Sequence, residues 1–402
     1  NATRLFGTAH SYYSTEGSSQ CIRAMLFLAL QGAPQSGKRP VLLAARNAHK
    51  ALLYAAALLD FDIRWLWPSA QAEGALCSCP VTAEALTGAL HAMAQQGNTP
   101  FGVYVTSPDY LGGVQELPAL AAVCRAQGVP LLVDNAHGAY LRFLPQNCHP
   151  IAQGAAMCCD SAHKTLPVVT GGAYLHLAHD APVQDEAAVR GALALFGSTS
   201  PSYLILQSLD ACNAVLAGDY PRRLVQCCAA LEGLRRSLNK AAAARQCPVP
   251  LAVAGAQQEP MKLTLDAAAL GCTGTALADA LRRAQLECEY ADPRYVVLMF
   301  TPENPPQDFE RLQTALEQLL AAVPAGLSRP ENRAGEFAAL QQQAVQRCTI
   351  RQAVLGAQVR VPVHKALGRV CAMPTVSCPP AIPVAVSGEE ITPAAIALMQ
   401  RY

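Results

Sequence analysis

Two residues stand where they could share one piece of chemistry: Asp134 and, thirty positions later, Lys164. Asp134 closes the apolar run Val129-Pro130-Leu131-Leu132-Val133, so its carboxylate leaves at the carboxyl end of a buried strand. Open α/β sheets bind their ligands at that end. Lys164 lies in Ser161-Ala162-His163-Lys164-Thr165, just beyond a second apolar run, Ala155-Ala156-Met157-Cys158-Cys159. If the two strands are neighbours, amine and carboxylate meet in one crevice. A lysine amine forms an imine with an aldehyde cofactor, and an acid keeps a pyridine nitrogen protonated so that the ring accepts electrons. Pyridoxal 5'-phosphate (PLP) needs both. The plain alternative is an unrelated Asp and Lys, each ending a strand at the surface.

Three further segments bear on that choice. Thr15-Glu16-Gly17-Ser18-Ser19 precedes a helical stretch beginning near Gln20. Small hydroxyl residues at a helix start suit a phosphate, which takes backbone N–H groups and the positive end of the dipole. Read alone, it is a serine-capped helix. His49, in Arg46-Asn47-Ala48-His49-Lys50, follows a strand, and His137 lies three residues after Asp134. Either histidine could equally cap a helix or sit satisfied in the core. Cys77-Ser78-Cys79 has no second Cys/His pair at finger-like spacing, so no metal site is expected.

The elements that must position these residues follow from hydrophobic patterning. Short continuous apolar runs alternate with helical patterns between residues 41 and 178: strands at Val41–Ala44, Ile63–Leu66, Val103–Val105 and Val129–Val133, with helices at His49–Leu59, Thr82–Gln96 and Val114–Gln127. Continuous runs mark strands covered on both faces, and the alternation predicts a mostly parallel, doubly wound sheet. Two long helices follow between Ser200 and Ala244, interrupted at Gly218-Asp219-Tyr220-Pro221. A smaller α+β pattern comes next, with strands near Leu251–Val253, Met261–Leu265 and Tyr295–Phe300 and helices near Thr275–Arg283 and Phe309–Ala322. A Pro/Gly-rich linker, Pro324–Glu331, leads to a last segment of helix, short strands and the turn-rich Ser377–Pro383. The predicted domains are residues 1–215, 216–325 and 326–402.

Composition narrows the class. Charged residues make up 15% of the 402, against about 25% in an ordinary soluble domain, so extra surface should be hidden in a subunit interface. The net charge of +1 and the scattered basic residues leave no footprint for nucleic acid or an anionic membrane. No apolar run reaches the ~20 residues that span a bilayer, and no signal peptide opens the chain. Sixteen irregularly placed cysteines read as reduced, mostly buried side chains of a cytoplasmic protein. The chain begins at Asn1, directly in helix-like sequence, and is expected to be a fragment or a processed product.

With Asp134-Asn135-Ala136-His137-Gly138, Ser161-Ala162-His163-Lys164-Thr165-Leu166-Pro167 and Thr199-Ser200-Pro201-Ser202-Tyr203 in view, the chain resembles the bacterial ornithine/lysine/arginine decarboxylases. The resemblance runs over nearly the whole chain. It takes in Arg46–Lys50, Ser208-Leu209-Asp210 and the late stretch from Gly368-Arg369-Val370 to Gly388-Glu389. It implies a large PLP domain of the aminotransferase fold (fold type I), a smaller α+β domain and a carboxy-terminal domain typical of these decarboxylases. Lys164 would then be the Schiff-base lysine and Asp134 the partner of the pyridinium nitrogen. His49 would stack on the ring, and His137 would lie near the cofactor hydroxyl and the substrate. Gly17, Ser18, Ser19, Ser161 and His163 would hold the phosphate. Ser198 and Thr199 would reach the phosphate of a neighbouring subunit, which implies a homodimer with shared active sites.

The implied reaction is decarboxylation of lysine, arginine or ornithine to the amine and CO2, a step of polyamine metabolism. Rival expectations are another PLP reaction on the same scaffold, such as transamination or C–S lysis, and a catalytically degenerate PLP-binding paralogue. Transamination would want an arginine from the small domain, and Arg294 is the candidate. The family has a further region before the point matching Asn1, so no acid is assigned to the substrate's distal end. Glu16 stands where Asn is common, Asn135 where Glu is common, and Cys378 and Ala381 replace the Tyr and second Gly of a Tyr-Pro-Pro-Gly-Ile-Pro turn.

Overall fold

The computed structural model describes residues 2–34, 37–68, 76–252, 258–324, 327, 335–373 and 380–402. Ten strands are present among them: β1 (His10–Ser14), β2 (Val41–Ala45), β3 (Asp62–Leu66), β4 (Val103–Thr106), β5 (Leu131–Asp134), β6 (Met157–Asp160), β7 (Ala173–Leu177), β8 (Lys262–Asp266), β9 (Tyr290–Ala291) and β10 (Tyr295–Met299). The first seven form one sheet in the order β1-β7-β6-β5-β4-β2-β3. Strands β2 to β6 are parallel, whereas β7 runs antiparallel to β6 and β1 antiparallel to β7.

The parallel strands are apolar on both faces because helices cover both. Leu42, Ala44, Tyr104 and Leu132 pack with Ile22, Met25 and Leu52 from the helices Gly17–Gly32 and Lys50–Leu59. Leu43, Val103, Val105 and Val133 pack on the opposite face with Leu86, Leu90 and Leu120. Each buried leucine, valine, isoleucine or methionine among them contributes roughly 1.5–3 kcal/mol. A second sheet, β8-β10-β9, packs with the helices Tyr220–Ala244 and Pro306–Ala321 around Leu224, Leu231, Leu263, Val296 and Leu316.

Several boundaries differ from expectation. Only Ala2–Phe6 of the opening stretch is helical; the polar His-Ser-Tyr-Tyr-Ser that follows is edge strand β1. The helix expected from Val114 starts at Leu117, because Pro118 fits a first turn but not an interior. His49 precedes its helix as the N-cap instead of belonging to it. The short strands expected near the carboxyl terminus are isolated bridges, Gln346 to Glu389 and Val370 to Glu390, between the helices Gly335–Gln343, Ile350–Leu355 and Pro393–Arg401. Val253 and the stretch 374–379, with Cys378, lie outside the described residues. Among the described residues, no helix is long and apolar enough to cross a membrane.

Candidate active site

Strands β5 and β6 are hydrogen-bonded neighbours, with Asp134 opposite Cys159, so the two strand ends lie side by side. Asp134 is the last residue of β5 and is 2% exposed. Its carboxylate accepts from the Tyr104 hydroxyl at 3.0 Å and from the Ala136 N–H at 3.2 Å. Lys164 belongs to a single helical turn, Ala162–Thr165, that follows β6 directly. Its Nζ lies 3.1 Å from His137 Nε2.

That contact has a definite electrostatic sense. Burial pushes the His137 imidazole well below its usual range, and the nearby cations Lys262 and Lys164 push it the same way. His137 is therefore neutral, so the lysine Nζ donates to Nε2 and the ring proton sits on Nδ1. His137 Nδ1 is buried with no hydrogen-bond partner among the described residues, an orphan polar atom of the kind that a bound ligand satisfies. His49 caps the helix Lys50–Leu59, its Nδ1 accepting the Ala51 N–H at 3.1 Å. Burial lowers its pKa to about 4; Asp134 opposes the shift and Lys164 adds to it.

The phosphate candidates form a group of their own. Gly17 begins the helix Gly17–Gly32 with φ +72°, and a Cβ there would meet nothing within 4 Å, so the backbone is open to an approaching anion. The Ser161 hydroxyl donates to Ser18 Oγ at 2.7 Å, joining this helix start to the lysine-bearing turn. Ser19 occupies the first turn, and His163 Nδ1 contacts the Gly172 carbonyl at 3.0 Å. The Glu16 carboxylate accepts the Ser198 N–H at 3.1 Å. Ser198 and Thr199 are exposed on the loop it ties down.

Residues beyond the expected set complete the surroundings. The Tyr110 ring stands edge-on to His137 with centroids 4.8 Å apart, and its hydroxyl donates to Glu289 at 2.6 Å. Lys262, 1% exposed on β8, lies 5.5 Å above that ring and donates to the Asp109 carbonyl at 3.0 Å. Burial pushes the Lys262 ammonium down and its neighbour Glu259 up to about 7. Nothing in the apolar periodicity singles out Tyr110 or Glu289. A lysine inside the run Met261–Leu265 was the available signal for Lys262.

Beneath the crevice lies a second buried charge, Asp160. His149 and His176 face its Oδ2 at 3.1 and 3.2 Å, and the Asn135 amide donates to Oδ1 at 2.7 Å. Burial pushes the Asp160 carboxyl up, but the two histidines outweigh it and hold the group well below the usual carboxylate range. Cys158 lies 3.9 Å from His149, so His149, Cys158 and Asp160 form a buried group of three donors of metal-binding type. At the other candidate, Cys79 donates to the Leu66 carbonyl and Cys77 is buried.

A phosphorylated pyridine aldehyde fits these groups. The open helix start and paired hydroxyls suit its phosphate, the Asp134 carboxylate its ring nitrogen, and the Lys164 amine its aldehyde. The fold is that of the PLP enzymes of fold type I.

Comparison with known proteins narrows this to one family. The major domain of the Orn/Lys/Arg decarboxylases matches residues 1–307, and the chain belongs to that family. It is 26% identical to the arginine decarboxylase of Bacillus subtilis over 401 residues, 97% of this chain and 77% of that protein. Against the constitutive lysine decarboxylase of Escherichia coli it is 26% identical over 237 residues, 55% of this chain and 31% of that one. The lysine decarboxylase of Francisella novicida superposes with TM-score 0.77 at 18% identity, covering 99% of this chain. The present chain spans 66% of that structure. Mouse CSAD shares the fold more distantly, with TM-score 0.59 at 17% identity.

Proposed function

We propose that this protein binds PLP through Lys164 and decarboxylates a basic amino acid, lysine, arginine or ornithine, to its amine. The observation that carries the reading is the convergence of Lys164, a neutral His137 and the buried Asp134 carboxylate at two adjacent strand ends. The bound cofactor would supply an electron sink for the carbanion left when CO2 departs. Asp134 holds a proton on the ring nitrogen, and the Tyr104 hydroxyl and Ala136 N–H fix the carboxylate for that task. His137 accepts a hydrogen bond from the Lys164 amine, which would orient that amine for proton exchange once the cofactor and substrate are bound. Gly17, Ser18, Ser19, Ser161 and His163 would hold the phosphate, and His49 would stack on the ring. Such groups contribute orientation and preorganised electrostatics.

Specificity for a basic side chain would rest on Glu289. Asp109 and Glu259 are buried among their own partners, whereas Glu289 is exposed and steadied by the Tyr110 that touches His137. Transamination is the less favoured reading, since Asp266 engages its candidate Arg294 through both carboxylate oxygens, at 3.1 and 2.9 Å.

The division into residues 1–215, 216–325 and 326–402 is part of the proposal, as is a homodimer. The dimer is supported by Leu195, Tyr203 and Leu204, 61%, 82% and 74% exposed, which flank Ser198 and Thr199. The buried thiols suit a reducing, cytoplasmic setting. The test is labelled CO2 released from carboxyl-labelled lysine, arginine or ornithine by wild type and not by Lys164→Ala, with loss of the yellow colour in that variant. Transfer of the amino group to a keto acid without CO2 would refute it.

A further inference from the structure

The turn that carries His49 is held from the far end of the chain. Arg46, 6% exposed, follows β2 and lies between the Trp65 and Trp67 rings, 5.0 and 5.1 Å from their centroids. Its guanidinium donates to the carbonyls of Pro383 at 3.2 Å and Val384 at 2.7 Å, and to Glu389 Oε2 at 3.2 Å. Glu389 is itself 4% exposed, and the same oxygen accepts the Val386 N–H at 2.9 Å. On the other side of His49, the Lys50 N–H donates to the Ala381 carbonyl at 3.0 Å, aimed there by a left-handed turn with φ +58° at Ala381. Arg351 reaches the opposite end of the same helix, donating to the Ala57 and Leu58 carbonyls at 2.9 and 3.1 Å.

An N-terminal N–H and two C-terminal carbonyls of a helix need partners from outside it. Here residues of the carboxy-terminal segment supply both, and Arg46 is locked three residues before the histidine. A buried ion pair is weak evidence of stability and is better understood as a device that fixes one geometry. The geometry it fixes is that of the His49 turn, where the His49 Nδ1 accepts the Ala51 N–H at 3.1 Å and the ring feels the charges of Asp134 and Lys164.

We propose that Arg46 and Glu389 are positioning residues for the cofactor: with the Ala381 carbonyl they clamp the His49 turn, so the carboxy-terminal segment acts on the PLP ring through His49. This rests on the PLP reading above. The experiment has two readouts on the full chain. Hydrogen exchange of the apo protein reports the backbone of residues 46–55, and PLP titration followed by absorbance and visible circular dichroism reports the site.

Glu389→Gln and Arg46→Met are expected to speed exchange there and to weaken PLP binding about tenfold, a loss of the size expected for coupled neighbours. In a His49→Ala background the same substitutions should cost less than about twofold, since the residue they act through is gone. Leu398→Ala removes a buried side chain from the core of the same segment. It should lower the melting temperature while leaving PLP affinity within about twofold, which separates positioning from general stability. Unchanged exchange, unchanged PLP affinity, or an undiminished loss in the His49→Ala background would each overturn the clamp alone. Wild-type protein with no Lys164-dependent colour would overturn the cofactor reading and, with it, the clamp's role.

Discussion

Asn135 stands where the family commonly has an acid, and replacing it with an isosteric acid asks why. Its amide donates to Asp160 Oδ1 at 2.7 Å, and both residues are wholly buried. Asn135→Asp keeps the volume and turns that donor into a second carboxylate facing the first. Two carboxylates so placed share one proton. Holding a proton at pH 7 on a group whose usual pKa is about 3.9 costs up to ~4 kcal/mol, at 1.36 per pH unit. The hydrogen bond formed by the shared proton offsets roughly half of this. The expected loss is therefore about 2–4 kcal/mol, or a fall of very roughly 5–10 °C in melting temperature for a domain of this size.

The pH dependence carries the sign. The variant binds a proton in the folded state that the unfolded chain has released, so its stability is full at low pH and declines as pH rises through the raised pKa. Its deficit against wild type should shrink by about 1.4 kcal/mol per unit between pH 7 and pH 5. In wild type Asp160 runs the opposite way: its depressed folded pKa contributes stability above the usual carboxylate range, lost on acidification below it. Melting curves of both proteins at pH 5, 6 and 7 measure this, and adding Asp160→Asn to Asn135→Asp should recover most of the loss. A deficit independent of pH, or no deficit at pH 7, would refute the reasoning.

The neutral His137 predicts a second pH effect. Its lowered pKa means that acid costs stability as pH falls below about 6.5, where the unfolded histidine takes up a proton first. The profile of kcat/KM should accordingly show no limb near pH 6.5 from this residue, while His137→Asn should lower kcat about 10²–10⁴-fold. Lys262→Met removes a buried cation beside Glu259 and should destabilise by about 3–5 kcal/mol, most of it restored by adding Glu259→Gln; thermal unfolding of the single and double variants checks it. Glu289→Gln should cut kcat/KM for the basic substrate about 10–150-fold, the worth of a charge-assisted hydrogen bond, with thermal stability unchanged. Equal losses with a neutral amino acid would sink Glu289 as the distal-cation partner.

How much of this was legible in the sequence depended on whether a residue's neighbours were local. The pair Asp134 and Lys164 could be read because each ends an apolar run, and adjacent parallel strands bring such ends together. Strand β1 could not: its polar residues alternate in burial at a sheet edge, and only pairing with β7 makes them a strand. Tyr110 is placed by Glu289 and Lys262, more than 150 residues away, and no period of 2 or 3.6 encodes such a contact. Asn135 shows the limit most clearly. As a letter it is a departure from the family's usual acid; beside Asp160 it is the residue type that buried charge requires, because the amide can donate where an acid would repel. The departure and Asp160 are one feature, divided between two strand ends that only the folded sheet joins.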